Sequence, residues 1–117
     1  LNMLEASVSE PAQNSIDLDG RQITVQETLA HHPKGKPLTL ALRPEAVSLE
    51  ARKSHDTSLE ATIDDVHFLG SVIRTRVILG KNRLSFDTFN DPTHPPPQRG
   101  DKVTVHFASH DLLVLAD

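Results

Sequence analysis

The residues able to do chemistry in this chain are scattered, and each group has a bland reading beside its sharp one. Seven histidines are present. His31 and His32 are adjacent and precede Pro33. Neighbours on an extended backbone point to opposite sides, so the pair reads as a solvated loop rather than two ligands of one metal. His106 and His110 lie near Asp111, but a turn is expected at Ala108-Ser109 and nothing supplies a third ligand. Glu60, Asp64 and Asp65 form an acidic patch. Paired-carboxylate hydrolysis needs two groups with separate roles in a cleft, whereas adjacent strand residues face opposite ways, so a bulge or solvated edge is expected there. Arg74 and Arg76 share a strand face, with Ser71 just ahead of them. Two guanidiniums and a hydroxyl are the one grouping that could hold a small oxyanion. Arg43 and Glu45 flank Pro44, whose fixed φ makes both long side chains project from a defined corner. They are the best candidates for contact with a ligand or partner, against the plainer reading of a structural corner.

Several reactions are excluded by what is absent. Gly20, Gly35, Gly70, Gly80 and Gly100 are far apart, and no Gly-Lys-Ser or Gly-Lys-Thr occurs, so this chain has no phosphate loop for ATP. There is no Gly-x-Ser-x-Gly elbow and no His-Glu-x-x-His. Cysteine is absent, which removes disulfides, thiolate metal sites and thiol nucleophiles. Aromatic residues are only 3% and the net charge is −4, a poor basis for a stacking platform in a basic groove, so no nucleic-acid partner is expected. No apolar run approaches a membrane span, and Leu1-Asn2-Met3-Leu4 has no features of a signal peptide. The first residue is Leu, and the chain of 117 residues is expected to be a fragment of a longer protein.

The elements that must position these residues are short strands. Ser15-Ile16-Asp17-Leu18 and Arg21-Gln22-Ile23-Thr24-Val25 alternate around Asp19-Gly20, the sequence signal of a two-residue hairpin turn. Leu4 to Val8 leads into that hairpin. Leu38, Leu40 and Leu42 share one strand face, and Pro44 stops the strand and suits the first position of one helical turn. After a polar linker from Arg52 to Thr57, strands follow at Ser58–Val66, Val72–Leu79, Leu84–Thr88, Lys102–Phe107 and Leu112–Leu115. Phe68-Leu69-Gly70-Ser71 breaks one strand from the next, and Asp91 to Arg99, with four of the prolines, is a loop. Leu59, Ile63, Phe68, Leu69, Phe86, Val103, Val105 and Phe107 are the expected core. The pattern predicts an all-β, OB-like barrel of short antiparallel strands with one short helical turn after Arg43, spanning 1–117, with residues 1–36 as a candidate hairpin subregion.

Two stretches carry a family resemblance. Leu40-Ala41-Leu42-Arg43-Pro44-Glu45-Ala46-Val47 and Phe68-Leu69-Gly70-Ser71, the latter followed by Arg74, Arg76, Val77, the Gly100-Asp101 turn and Val103-x-Val105, resemble the transport-associated OB (TOBE) domain C-terminal to the ATPase of ABC importers. Asn2-Met3-Leu4 is similar to the segment where such ATPases leave the nucleotide-binding domain. The resemblance implies a regulatory and dimerisation domain without catalytic residues or a cofactor of its own. ATP and Mg are expected in an N-terminal domain outside this chain. The implied partners are that ATPase domain, a second copy of the subunit and the transporter's membrane subunits. The implied location is cytoplasmic, peripheral on the inner face of the cell membrane. A polyamine or iron importer is slightly favoured. The alternative is a free-standing OB-like module for small oxyanions or oligonucleotides, using Ser71, Arg74 and Arg76.

Overall fold

The computed structural model describes residues 1–115. The chain forms an all-β, OB-like barrel from two antiparallel sheets. The five-stranded sheet contains β1 (Asn2–Glu10), β2 (Ser15–Leu18), β3 (Arg21–Thr24), β4 (Pro37–Leu42) and β9 (Leu113–Val114), in the order β3-β2-β1-β4-β9. The four-stranded sheet contains β5 (Thr57–Leu69), β6 (Val72–Leu79), β7 (Asn82–Phe89) and β8 (Lys102–Phe107), in the order β7-β6-β5-β8. Among the described residues no helix is long and apolar enough to cross a membrane.

The turns form where the backbone demands residues that tolerate positive φ. At the β2–β3 turn, Asp19 and Gly20 have φ of 50° and 90°, as a type I′ turn requires of both central residues. The strand pair Leu18↔Arg21 closes it. A 3-10 turn at Pro44–Ala46 follows β4, with Ala46 N–H donating to the Arg43 carbonyl at 3.0 Å. Pro44 has no N–H to lose at that first position.

The inward faces of both sheets build one core. Leu4, Ile16, Leu29, Leu40, Leu42, Leu84, Phe86, Val105, Phe107 and Leu112 are completely enclosed. Of the expected core, Leu59, Ile63, Phe86, Val105 and Phe107 are buried, and Val103 is half-buried against them. Phe68 and Leu69 are a correction: they are 59% and 51% exposed. The strand does not break before them but runs on to Leu69. β8 pairs only with residues 57–62 of β5, so at the Phe68 end β5 has become the edge of its sheet. Phe68 sits on the inward face, opposite Ile73, but has no strand outboard of it. Leu69 is one residue on and faces outward. Thirteen residues of β5 span about 43 Å at the strand rise, nearly the 49 Å length of the molecule, so this end projects beyond the opposite sheet.

The two sheets meet edge to edge along two seams. At one, the first half of β1 lies beside β7. At the other, β3 lies across a depression from the first half of β5.

Candidate functional site

The outward face of β5–β6–β7 gathers most of the charged candidates in rows set by strand register. His67, Arg74 and Asp87 stand side by side, as do Asp65, Arg76 and Ser85, and at the projecting end Leu69, Val72 and Phe89. Arg74 holds Asp87 with both ends of its guanidinium, Nε to Oδ1 at 3.0 Å and an Nη to Oδ2 at 3.1 Å. That fork keeps the Asp87 carboxyl below its ordinary value and raises Arg74 above its own. Arg76 donates to Asp64 Oδ2 at 2.8 Å and lies 3.9 Å from Asp65, and Arg83 lies 3.9 Å from Asp64. Asp65 also takes a 2.8 Å bond from His67, which is the main reason its carboxyl is lowered. Asp64 and Asp65 sit at a register shift in the β5–β6 pairing, so of the bulge or solvated edge expected there it is the bulge that forms, and it turns both carboxylates toward the arginines. Three aspartates thus answer three arginines, and the face is self-neutralised.

Ser71 is not brought into that cluster. It lies in the β5–β6 turn, where its carbonyl accepts from Asn90 N–H at 2.9 Å and the neighbouring Gly70 carbonyl accepts from Asn90 Nδ2 at 3.1 Å. Gly70 supplies the positive φ of 80° at that turn. Arg43 and Glu45 are exposed on the corner after β4, which packs against β7. Neither side chain has a hydrogen bond or ion pair with another described residue, so both are available for contact. Phe68, Leu69 and Phe89, the last 85% exposed, leave the projecting end apolar.

The sequence reading did not find two other groups. The first is a pair of buried asparagines at the β1–β7 seam. Asn2 Nδ2 donates to the Ser85 carbonyl at 2.8 Å and Asn2 Oδ1 accepts from Ser85 N–H at 2.7 Å. Asn82 does the same to Glu5, with bonds of 2.8 and 2.9 Å, and its amide also donates to Asp19 at 2.9 Å. Each primary amide stands in for the peptide group of a missing strand neighbour. A polar residue in a strand position where burial is expected was the available signal, since Asn82 begins β7 on the core side. The second group is at the β3–β5 seam. Asp56 accepts from Ser109 N–H at 2.7 Å and from its hydroxyl at 2.8 Å, which together hold the Asp56 carboxyl below its usual value. Ser58 Oγ lies 2.7 Å from His106 Nδ1 on the paired strand. A serine and a histidine in contact raise the question of a nucleophile, but no carboxylate is hydrogen-bonded to the other ring nitrogen among the described residues. Among the described residues no three of His, Asp or Glu come together as a metal site either.

With that geometry in place, the chain can be set beside known proteins. A family model described as "TOBE domain" matches residues 40–115, which takes in both signature stretches, Leu42-Arg43-Pro44-Glu45 and Phe68-Leu69-Gly70-Ser71. No curated protein matches the chain. Among solved structures, it is similar to the cytoplasmic molybdate-binding protein ModG, crystallised with molybdate bound. The TM-score is 0.71 at 14% identity, over 97% of this chain and 94% of that one. At that identity the likeness is one of fold.

Proposed function

The chain belongs to the TOBE domain family, and from that premise we propose that it is the regulatory and dimerisation domain of the ATP-binding subunit of an ABC importer. The observation that carries this reading is the Arg43-Pro44-Glu45 corner. It lies within the family match, is presented by a proline-fixed turn, and has both charged side chains exposed and without a hydrogen bond or ion pair to another described residue. A contact residue must have its polar groups open to a partner, and among the described residues these two do. The apolar end formed by Phe68, Leu69 and Phe89 adds surface suited to a second copy or to the subunit's own ATPase domain. On this reading ATP and Mg are bound by a separate N-terminal domain, the transporter's membrane subunits are reached through it, and the protein works at the cytoplasmic face of the membrane. The importer class taken with this reading is that of polyamines or iron.

The gene upstream of Leu1 tests this directly. A Walker A motif and an ABC signature are expected there, and their absence would make the importer reading wrong. In the full-length subunit, Arg43→Ala and Glu45→Ala are expected to lower transport-coupled ATPase activity without lowering the melting temperature. Unchanged coupling in both would remove the corner from the mechanism.

A second reading is a free-standing binder of small oxyanions. It is favoured by the fold shared with a molybdate-binding protein. Its candidate ligands, Arg74 and Arg76, already hold Asp87 and Asp64, so an anion would have to displace a carboxylate from each. Calorimetry of the isolated domain against molybdate, sulfate and single-stranded DNA separates the readings. Heat with molybdate that Arg74→Ala abolishes would support the binder, and silence with all three would end it.

A further inference from the structure

The β3–β5 seam is open, and its walls are backbone. In a two-residue hairpin the residues flanking the turn exchange both ladder bonds, and the pairs then alternate. Leu18↔Arg21 and Ile16↔Ile23 are therefore the bonded pairs of β2–β3, and Gln22 and Thr24 point their N–H and C=O groups outward from the sheet. The same alternation applies to β5. Ile63 bonds toward the β8 side, with its N–H donating to Asp101 at 2.8 Å and its carbonyl accepting from Gly100 at 2.8 Å. Counting back, Ala61, Leu59 and Thr57 also bond β8, while Glu60 and Ser58 point away from it. β6 joins β5 only from Thr62 onward, so no described strand pairs with Ser58 and Glu60 on that side. The alternation is verified elsewhere in the molecule. It makes Ser85 and Glu5 outward-facing, and these are the residues whose N–H and C=O the seam asparagines take.

Three other sheet edges carry a cap. Asn2 covers β7 at Ser85, Ser48 covers β8 by exchanging bonds of 2.9 and 2.8 Å with His106, and the Glu27 carboxylate accepts from Val114 N–H on β9 at 3.2 Å. No described residue caps Gln22, Thr24, Ser58 or Glu60 at the backbone. The Gln22 side chain is turned to Ser9 and Ser15 instead. Between these four residues lies a depression of about 320 Å³ lined by Arg21 to Thr24 on one wall and Asp56 to Leu59 on the other. A second of about 200 Å³ adjoins it through Arg21 and Leu59.

We propose that this slot binds an extended polypeptide segment as an added strand. Donors and acceptors recur on both walls at a two-residue step, about 6.8 Å, which is the repeat of a strand and of no compact ligand. Leu59 and Ile23 give it an apolar floor, so alternate residues of the segment face in. Asp19, Asp56 and Glu60 outnumber Arg21 around it, so the segment carries basic residues at its ends. Unpaired edges of this kind are normally blunted, and the side-chain or bridge bonds that cover Ser85, His106 and Val114 have no counterpart in this slot.

The test uses a capped heptapeptide that alternates valine and threonine with a lysine at each end. Titrated into 15N-labelled protein, it is expected to move the amide resonances of Gln22, Thr24, Ser58 and Glu60 most and to slow their hydrogen exchange. The same peptide N-methylated at alternate residues is expected to bind at least about tenfold more weakly, since it cannot complete the ladder. Thr24→Pro removes one outward donor and no β2–β3 bond, and is expected to weaken binding while leaving the β6–β7 resonances in place. Three results would overturn the proposal: no change at those four amides, equal binding of the N-methylated peptide, or protection of the four amides by self-association of the unliganded protein.

Discussion

The two seams of this barrel pose the same problem and answer it differently. At both, a strand of one sheet runs past the edge of the other with its peptide groups directed across the gap. At the β1–β7 seam, Asn2 and Asn82 each place one amide where a peptide group would be and satisfy an N–H and a C=O of the opposing strand. At the β3–β5 seam the equivalent positions are Gln22, Thr24, Ser58 and Glu60, and no described residue takes their outward backbone groups. The difference teaches that closure here is a matter of two side chains and not of strand geometry. One seam belongs to the structure, and the other is available for binding.

Asn82→Ala should break that contrast most. It removes both bonds to Glu5 and the one to Asp19, leaving buried peptide groups unpaired, and is expected to cost about 3 kcal/mol in urea unfolding. A cost under about 1 kcal/mol would mean that water replaces the amide and the seams are alike after all. Asn2→Ala removes two bonds near the chain start and is expected to cost about 2 kcal/mol, and the two substitutions should be less than additive because they serve one seam. Gly80→Ala probes where the seams join. The β2–β3 and β6–β7 turns meet there, with Asp19 accepting from Lys81 N–H at 3.3 Å, and a Cβ on Gly80 would stand 2.8 Å from the Asp19 side chain at a φ of +57°. The expected loss is about 1 to 2 kcal/mol, with the Asn82 side-chain resonances displaced.

The smallest effect is the control, because it involves no seam. Asp91 accepts from the Thr93 hydroxyl and N–H and lies 3.0 Å from His94, and these neighbours lower its carboxyl from the ordinary value to about 2. A carboxyl lowered by folding stabilises above its unfolded value, near about 4, and that increment fades as the pH falls toward the folded one. Wild type should exceed Asp91→Asn slightly at pH 6 in thermal melts, the margin narrowing steadily below about pH 4. A margin independent of pH would show that the charge is not what matters in this loop.

How much was legible in the sequence follows from the range of each interaction. The Asp19-Gly20 turn, the Pro44 corner and the alternating runs around Leu40 and Val105 are set by residues one to four apart, and each appears in the structure where the sequence places it. Asp64-Asp65 read as a bulge or a solvated edge, and the register shift in the β5–β6 pairing decides for the bulge. Phe68 misled because its composition says core, while its exposure depends on where β8 stops, which no local pattern encodes; Leu69 misled because the strand runs on through it and turns it to the outward face. Arg74 and Arg76 were correctly placed on one strand face, but their neutralisation by Asp87 and Asp64 depends on strand pairing.

The sequence by itself determined the all-β class, the turns and the faces of the strands, because φ preferences and side-chain alternation act over a few residues. Only the tertiary structure decided which arginines are already occupied, which apolar residues stay uncovered, and which seam is stitched shut. Asn2 and Asn82 reach partners 83 and 77 positions away along the chain. Such contacts exist only once the register of both sheets is complete, since a shift of one residue in either strand would point the amides to the wrong face.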